Sequence, residues 1–369
     1  MATCGTATLR PEEKAPKPAV FYHPELDILR FCAFLMVFLC HAATWHSAIS
    51  PQLVHKIFQI GRYGVDLFFA LSAYLITEIL LRERRRRGTI DVRAFYIRRI
   101  LRIWPLYFAF LLFTFFAASR FTLESFPAPD KAAFLLFLGN YSFLLRPMNS
   151  IAGILWSVSI EEQFYLSWPL VLRFSRNLKS VCIALLTAAT AYRIWLVAIH
   201  AREIAFWQST FSRIDAIAFG ALLAVILDGA VPKVGTTIRL TVFATGAALI
   251  VGAGGFGSIS GPLALITFPA VAAGCSLTLY AVLVEQFRPG RFARALTNLG
   301  RISYGLYVFH WLALVIVGSL LPIRDPISRA ATHALFSFIL TVILAAASYR
   351  WLESRFLVLK ERYAFVARS

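Results

Sequence analysis

The chain has 369 residues, of which 59% are hydrophobic and only 15% are charged. So little charge would not cover the surface of a soluble protein of this size. The net charge of +18 lies in short segments between apolar runs, and no basic domain with interleaved aromatic residues is present. This distribution argues against nucleic-acid binding and points to a membrane protein whose basic loops orient it.

Apolar segments long enough to cross about 30 Å of hydrocarbon recur along the whole chain. They predict an all-α, polytopic integral membrane protein with about ten transmembrane helices, near residues 26–47, 64–82, 103–119, 155–173, 180–199, 213–228, 239–257, 262–284, 302–321 and 331–351. The segment 131–146 is also apolar, but it is short and flanked by prolines. Counting it as a span would move every later basic loop to the opposite side, so it is predicted to be re-entrant or interfacial.

The basic segments predict the orientation. With a cytoplasmic N-terminus, the segments 82–87, 173–179 and 288–294 and the end of the chain fall on the cytoplasmic side. Both termini are therefore predicted to be cytoplasmic. The predicted organisation is an N-terminal tail (1–22) without a cleavable signal pattern, a transmembrane domain (23–353) and a C-terminal tail (354–369).

The cysteines predict neither a disulfide nor a metal site. They are scattered, mostly inside apolar runs, and lack the paired spacing of metal ligands. We interpret them as small core residues: Cys4, Cys32, Cys40, Cys182 and Cys275.

The first span carries two ionisable residues, Arg30 and His41. Their spacing puts them within roughly 20° of one helix face and about 16 Å apart along the axis. An ionisable residue near the middle of a membrane costs about 2.5 kcal/mol or more, so it usually has a partner or a function. The pair therefore indicates either a lined path through the membrane, or a structural histidine with an arginine that marks the end of the helix.

A cluster of arginines precedes the third span, in the segment FYIRRILRIWP. Arg99 and Arg102 are neighbours on one helix face, and Arg98 lies beside them. Adjacent guanidinium groups are good ligands for phosphates. The alternative is topological charge in contact with lipid headgroups.

Two further segments combine carboxylates with hydroxyls. Asp66 and Ser72 lie in GRYGVDLFFALS, where Asp66 is equally interpretable as a group that stabilises the start of the helix. Glu161 and Glu162 lie in WSVSIEEQFY, and they point about 100° apart, so at most one of them faces a given interior surface.

The remaining candidates are Arg213, Asp215 and His310. Arg213 and Asp215 fit polar contacts between helices, worth about 0.6 kcal/mol per hydrogen bond on average. His310 by itself is interpreted as a packed, hydrogen-bonded histidine with a possible supporting role.

These segments occur in a characteristic order: the Arg30-to-His41 spacing, GVDLFF, FYIRRILRIWP, WSVSIEEQFYLSWP, RIDAIAFGALLA and LGRISYGLYVFHW. The order resembles the membrane acyltransferase 3 family, bacterial enzymes that acylate hydroxyls of cell-surface glycans and of some antibiotics. The resemblance extends from Leu26 to Trp351. The chain differs from the family where Ala73 and Tyr74 stand in place of the commoner Gly-Phe, and where Phe31 and Cys32 follow Arg30 in place of smaller residues.

The resemblance implies a site and a donor. Arg30 and His41 match the family's arginine–ten residues–histidine motif, and Arg99 and Arg102 match its paired arginines, which are thought to contact the phosphates of coenzyme A. Glu162 matches a carboxylate regarded as functionally important. The implied donor is cytoplasmic acyl-CoA, commonly acetyl-CoA, with no metal, and the implied location is the bacterial cytoplasmic (inner) membrane. Some relatives carry a fused extracytoplasmic hydrolase-like domain, whereas this sequence ends after the last span. We therefore expect direct delivery of the acyl group or its transfer to a partner.

The expected function is transfer of an acyl group to a hydroxyl of an extracytoplasmic glycan or a related acceptor. His41 is the predicted general base or acyl-carrying nucleophile, and Glu162 is predicted to orient the acceptor or the imidazole. The main alternative is a transporter or flippase for a glycan or lipid intermediate. Two others are the separate group of membrane O-acyltransferases, whose histidine lies in a later span, and a non-catalytic acyl-CoA sensor. The acceptor, the acyl length and the oligomeric state are left open.

Overall fold

The computed structural model describes residues 22–45, 59–116, 127–145, 150–256, 259–284, 287, 289–320, 326–361 and 363. In these ranges every regular element is a helix, and no strand occurs. The α-helices are α1 (Pro24–Trp45), α2 (Gly64–Arg87), α3 (Val92–Phe116), α4 (Ala128–Leu135), α5 (Gly139–Leu145), α6 (Trp156–Phe174), α7 (Leu178–Ala198), α8 (Glu203–Gln208), α9 (Thr210–Leu227), α10 (Thr236–Phe256), α11 (Ala264–Val282), α12 (Arg291–Arg301), α13 (Ser303–Leu320), α14 (Pro326–Ser348) and α15 (Ser354–Glu361).

Nine helical segments of the described chain are long and apolar enough to cross a membrane. They are Pro24–Thr44, Gly61–Arg87, Val92–Phe116, Leu178–Ala198, Glu203–Leu227, Thr236–Gly255, Ala264–Val282, Ser303–Leu320 and Ser328–Lys360. The predicted all-α, polytopic membrane fold is thereby confirmed. The remaining predicted span, 155–173, coincides with α6, a 19-residue helix that carries Glu161 and Glu162 and is therefore less apolar than the others.

The segment 131–146 does not form a membrane-length helix in its described part. It contributes to two short helices, α4 with 8 residues and α5 with 7. At 1.5 Å of rise per residue, neither helix can cross the hydrocarbon. This agrees with the predicted re-entrant or interfacial segment.

Two helices are longer than the hydropathy pattern predicted. Helix α3 begins at Val92, ahead of the predicted start at residue 103, because the arginine-bearing segment is helical as well. The last span continues through a π-helical segment, Tyr349–Glu353, into α15. Hydropathy detects only the apolar part of each helix.

Glycines bring α1 and α2 close together. A Cβ atom on Gly61 would overlap the carbonyl oxygen of Met36, and one on Gly64 would overlap that of Ala33. Gly220 of α9 meets the backbone of Ala70 in the same way. Helix α2 is therefore held tightly between α1, which carries His41, and α9.

Arginines are concentrated at one end of the helical bundle, where they bind backbone carbonyls of neighbouring helices. Arg84 donates to the carbonyl oxygen of Leu172 (2.8 Å), and Arg102 donates to that of Arg301 (3.3 Å). We call this end, defined by Arg84, Arg102 and Arg301, the basic end. It is the end that the sequence predicts to be cytoplasmic.

Candidate active site

Two cavities meet inside the bundle. The larger, with a volume of about 620 Å³, is the His41 cavity. The smaller, about 100 Å³, contains Arg30, Arg99 and Arg102 and is called the arginine cavity. Val65 and Tyr307 line both cavities, so they lie at the junction between them. The first span thus contributes Arg30 to one cavity and His41 to the other.

His41 and His310 form a hydrogen-bonded pair that fixes their tautomers. His310 Nδ1 lies 2.5 Å from the carbonyl oxygen of Tyr307, which can only accept, so Nδ1 carries a proton. In the neutral ring His310 Nε2 is then an acceptor, and it lies 2.8 Å from His41 Nδ1. His41 Nδ1 therefore donates, which leaves a lone pair on His41 Nε2. A neutral imidazole with a free Nε2 has the form required of a general base or a nucleophile.

The two imidazole rings lie in a common plane. Their interplanar angle is 2° and their centroids are 5.0 Å apart, close to the largest separation that a 2.8 Å N···N contact allows. The N–H···N bond therefore runs in line between the rings. Phe34 packs edge-on against His310 at 6.1 Å, and Trp311 packs edge-on against His41 at 5.2 Å, so aromatic contacts hold both rings in this orientation.

A polar rim lies beside His41. Gln59 donates from Nε2 to Thr44 Oγ1 at 3.1 Å, and Arg62 donates from Nε to the carbonyl oxygen of Gln59 at 3.1 Å. Arg62 also donates to the side-chain oxygen of Gln59. All three residues line the His41 cavity, so a guanidinium group shares the cavity with the imidazole.

The arginine cavity has an excess of positive charge. Arg30, Arg99 and Arg102 line it together with a single carboxylate, Glu161. The Arg99 guanidinium lies 5.7 Å from the centre of the Tyr165 ring, and its buried Nε has no hydrogen-bond partner among the described residues. Guanidinium groups with donors to spare are suited to phosphate oxygens.

Arg98 has a different environment from Arg99 and Arg102. It is buried, lies 3.3 Å from Glu83 Oε2, and donates to the carbonyl oxygen of Tyr363 at 2.8 Å. It is not among the residues that line the arginine cavity. Its contacts join α2, α3 and the end of the described chain.

The two adjacent glutamates face different surroundings, as helix geometry requires. Glu161 accepts from Ser72 Oγ at 3.3 Å and from Tyr165 OH at 2.9 Å, and it lines the arginine cavity. Glu162 accepts from Trp104 Nε1 at 3.0 Å, while its Oε1 is buried without a hydrogen-bond partner in the described structure. Ser72 and Glu161 are therefore brought to the site, whereas Glu162 lies against α3.

Asp66, Arg213 and Asp215 form buried ion pairs between helices. Arg213 donates to Asp66 at 2.6 Å, and Arg193 donates to Asp215 at 2.9 Å. Both arginines are completely buried. Asp66 lies in the first turn of α2, and it also forms an ion pair with Arg213 of α9.

Sequence reasoning gave Tyr307 and Ser157 no role in the site. Tyr307 OH lies 2.7 Å from Ser157 Oγ and 3.1 Å from the carbonyl oxygen of Ile154. This places a polar contact at the junction of the two cavities. The available signal was the spacing of Tyr307 and His310, three residues apart on one helix face.

These features define a multi-pass membrane protein whose interior contains two adjoining cavities lined by polar residues, one of them beside a histidine pair. The chain belongs to the acyltransferase 3 family, whose acyltransferase domain matches residues 23–350. The resemblance seen in the sequence motifs is thereby confirmed.

The chain is also similar to curated O-acetyltransferases. It is 26% identical to O-acetyltransferase OatA of Staphylococcus aureus, over 90% of this chain and 57% of that protein. It is 27% identical to the putative peptidoglycan O-acetyltransferase YrhL of Bacillus subtilis (90% and 54%), and 24% identical to peptidoglycan O-acetyltransferase OatA of Listeria monocytogenes (90% and 55%). The chain thus spans little more than half the length of these relatives. No solved structure matches it.

Proposed function

We propose that the chain is an O-acyltransferase that moves an acyl group, in the first instance acetyl, from acyl-CoA to a hydroxyl of a cell-surface glycan. The proposal depends on two consecutive hydrogen bonds, from His310 to the carbonyl oxygen of Tyr307 and from His41 to His310. Together they leave His41 Nε2 unprotonated on a residue that lines a large cavity. Family membership and the names of the relatives support it.

The donor is proposed to bind at the basic end. Three guanidinium groups in the arginine cavity, from Arg30, Arg99 and Arg102, complement the phosphates of coenzyme A. The pantetheine arm then extends past Val65 and Tyr307, the residues common to both cavities. This route brings the thioester toward His41.

The transfer is proposed to follow general-base catalysis. His41 Nε2 takes the proton of the acceptor hydroxyl while the hydroxyl oxygen attacks the thioester carbonyl carbon. The carbon–sulfur bond breaks, and the leaving thiolate takes the proton back from His41. His310, which accepts from His41 Nδ1, holds the imidazole in the required tautomer.

A two-step variant remains a second candidate, favoured by the same free lone pair. In it His41 Nε2 attacks the thioester carbonyl carbon, the carbon–sulfur bond breaks, and the proton given up by His41 Nδ1 ends on the leaving thiolate, so that an acyl-imidazole and a thiol form. The acceptor hydroxyl then attacks the acyl carbon, the carbon–nitrogen bond breaks, and the hydroxyl proton returns to the imidazole. The two routes differ in whether radiolabelled acetyl remains on the protein after rapid denaturing quench without acceptor.

The carboxylates are proposed to have separate roles. Glu161 shares the arginine cavity with the guanidinium groups and helps to position them. Glu162, held by Trp104, is proposed to orient the helix face that carries Glu161. This differs from the sequence-based prediction, in which Glu162 orients the acceptor or the imidazole.

The names of two relatives suggest a first acceptor to test. One is named a putative peptidoglycan O-acetyltransferase and the other a peptidoglycan O-acetyltransferase. The proposed acceptor is therefore the N-acetylated glycan of peptidoglycan. The proposed setting is the bacterial cytoplasmic membrane, with acyl-CoA as substrate on the cytoplasmic side.

The test is release of coenzyme A from radiolabelled acetyl-CoA by the purified protein in lipid nanodiscs. Wild type is expected to turn over acetyl-CoA, and His41→Ala is expected to lose at least about 10²-fold in rate while still binding acetyl-CoA. His200→Ala serves as the matched control, because His200 is exposed and lines neither of the two cavities. Equal turnover by wild type and His41→Ala would exclude the proposed role of His41, and absence of acetyl-CoA binding by wild type would favour the transporter alternative.

A further inference from the structure

The last residue of α12, Arg301, has no role in the proposed transfer, although it adjoins the arginine cavity. Helix α12 ends at Arg301, and Ser303 and Tyr304, which follow shortly after it, line that cavity. The Arg301 side chain is exposed. It is therefore a charged group on the solvent side of the proposed donor site.

Two contacts fix the end of α12 against the helices that supply the arginine cavity. Arg102 donates from Nη2 to the carbonyl oxygen of Arg301 at 3.3 Å. A Cβ atom on Gly300 would overlap the carbonyl oxygen of Asp27, so the backbones of α12 and α1 are in direct contact. Because Arg102 itself lines the arginine cavity, the backbone of Arg301 lies at the edge of that cavity.

The Arg301 side chain is oriented by a neutral group. Its Nη2 and Nε donate to the hydroxyl of Tyr22 at 2.9 and 3.3 Å, and Nη1 takes part in neither bond. The neighbouring carboxylate of Asp27 lies 3.6 Å from Arg30. Tyr22 thus holds the Arg301 guanidinium in place without neutralising its charge.

The chemistry of coenzyme A calls for a second phosphate-binding group near the first. Its pyrophosphate is attached to C5′ of a ribose ring and a separate monophosphate to C3′ of the same ring, so the two anionic groups lie close together. Hydrogen bonds between a guanidinium and a phosphate are roughly twice as strong as those between neutral groups. Arg301 lies beside Arg102 and has donors to spare, so it is suited to the second phosphate.

We propose that Arg301 and Tyr22 form a subsite for the 3′-phosphate of the acyl-CoA donor, while Arg99 and Arg102 hold the pyrophosphate. Arg301 donates from Nη1 to the 3′-phosphate, and Tyr22, whose oxygen accepts from Arg301, donates its own hydroxyl hydrogen to the same group. The subsite makes the protein selective for coenzyme A over its 3′-dephospho form. The assignment rests on the proposed function, because it concerns the donor of that reaction.

The experiment compares two donors that differ only in the 3′-phosphate. Acetyl-CoA and 3′-dephospho-acetyl-CoA are titrated calorimetrically into the protein in phosphatidylcholine nanodiscs, in which no anionic lipid headgroup competes. Wild type is expected to bind acetyl-CoA about tenfold more tightly. Arg301→Gln is expected to raise the Kd of acetyl-CoA to that of the dephospho form and to leave the Kd of the dephospho form unchanged. The unchanged value also shows that the variant is folded.

Arg294→Gln is the matched control for overall charge. Arg294 is an exposed arginine of the same helix, about two turns and 10 Å from Arg301 along the axis. At 0.15 M salt, where the Debye length is about 8 Å, this variant is expected to bind acetyl-CoA like wild type. An equal loss of affinity in Arg294→Gln and Arg301→Gln would attribute the effect to net charge and overturn the subsite.

Two further readouts separate phosphate recognition from a structural role. Tyr22→Phe keeps the ring but lacks the hydroxyl, so it is expected to weaken acetyl-CoA binding about threefold and to bind the dephospho form like wild type. In turnover assays Arg301→Gln is expected to raise KM for acetyl-CoA with kcat unchanged, because the 3′-phosphate is bound equally in the ground and transition states. A lower kcat with unchanged KM would contradict the subsite.

The outcomes distinguish this inference from the proposed function. If wild type turns over acetyl-CoA but binds both donors equally, the 3′-phosphate subsite is wrong and the acyltransferase stands. If the preference for acetyl-CoA depends on Arg301 but no acetyl group is ever transferred, the subsite stands and the proposed transfer reaction is wrong.

Discussion

His41 and His310 are joined by an in-line hydrogen bond of 2.8 Å between coplanar imidazoles, although 269 residues separate them in sequence. The bond determines which nitrogen of His41 is free, because the backbone carbonyl of Tyr307 fixes the proton on His310 Nδ1. The second histidine is thus a positioning residue for the first. In the proposed mechanism it acts by selecting a tautomer of His41 rather than by touching the reacting groups.

His310→Phe is expected to lower the rate of acetyl transfer by roughly 10²-fold, because His41 Nδ1 loses the acceptor that fixes its tautomer. His310→Gln is expected to recover part of the rate, since the glutamine side-chain oxygen reaches the place of the imidazole Nε2 and accepts the same proton. The measurement is kcat and KM for acetyl-CoA in both variants. A purely structural role for His310 would give equal rates in two variants of equal thermal stability, which would contradict this assignment.

The membrane fold follows from hydropathy because the bilayer sets the length of each apolar helix. The predicted spans therefore coincide with helices in their described parts, although α6 is not among the nine segments that are long and apolar enough to cross a membrane. The ends were less predictable. Helix α3 extends back to Val92 and includes Arg98, which is paired with Glu83 of α2. The hydropathy of one segment does not contain such a contact between separate helices.

The site, like the fold, combines features that the sequence predicts with features that depend on contacts between helices. The spacing of Arg30 and His41 indicated a lined path as one of two interpretations, and the structure places the two residues in adjoining cavities. Helix geometry required that Glu161 and Glu162 diverge, but only the packing of α6 determines that Glu161 is the one that lines the arginine cavity. The positions of His310 and Arg301 depend on contacts over 100 residues or more of chain, which one sequence does not reveal.

If the arginine cavity binds the phosphates of the donor, replacing its arginines should weaken donor binding selectively. Arg99→Ala/Arg102→Ala is expected to weaken acetyl-CoA binding about 100-fold or more, because each guanidinium–phosphate hydrogen bond contributes about 1.5–3 kcal/mol. Acetyl-pantetheine, which lacks the nucleotide, is expected to bind wild type and variant alike. Calorimetric titration with both ligands checks this, and equal weakening for both would show that the arginines do not recognise the nucleotide phosphates.

Arg98 is expected to differ from its two neighbours. Its guanidinium is used by Glu83 and by the carbonyl of Tyr363, so Arg98→Ala leaves a buried carboxylate unpaired. We expect a loss of about 3 kcal/mol in the free energy of unfolding, seen as a lower melting temperature in detergent, with an unchanged Kd for acetyl-CoA in the folded fraction. A large rise in that Kd without loss of stability would instead place Arg98 in the donor site, as the sequence suggested.

The buried Asp66–Arg213 pair predicts non-additive effects on stability. Asp66→Ala is expected to destabilise the protein by about 3–5 kcal/mol, because the fully buried Arg213 is left without its counter-ion. Asp66→Leu/Arg213→Met is expected to lose less than the sum of the two single variants. Thermal unfolding in nanodiscs measures each value, and strict additivity would mean that the two charges do not interact.

Gly61 offers a prediction with a matched control. Gly61→Ala would place a methyl group against the carbonyl oxygen of Met36, so the turn that carries Arg62 must move away from α1. The expected result is a loss of about 1–3 kcal/mol in stability from overpacking, together with lower acetyl transfer, because the rim beside His41 shifts.

Gly252→Ala is the same substitution within α10 where nothing lies within 4 Å, and it is expected to stabilise the helix by up to about 1 kcal/mol. Melting temperatures that move in opposite directions would attribute the loss to the close α1–α2 contact. A stable, fully active Gly61→Ala would mean that this contact does not position the site.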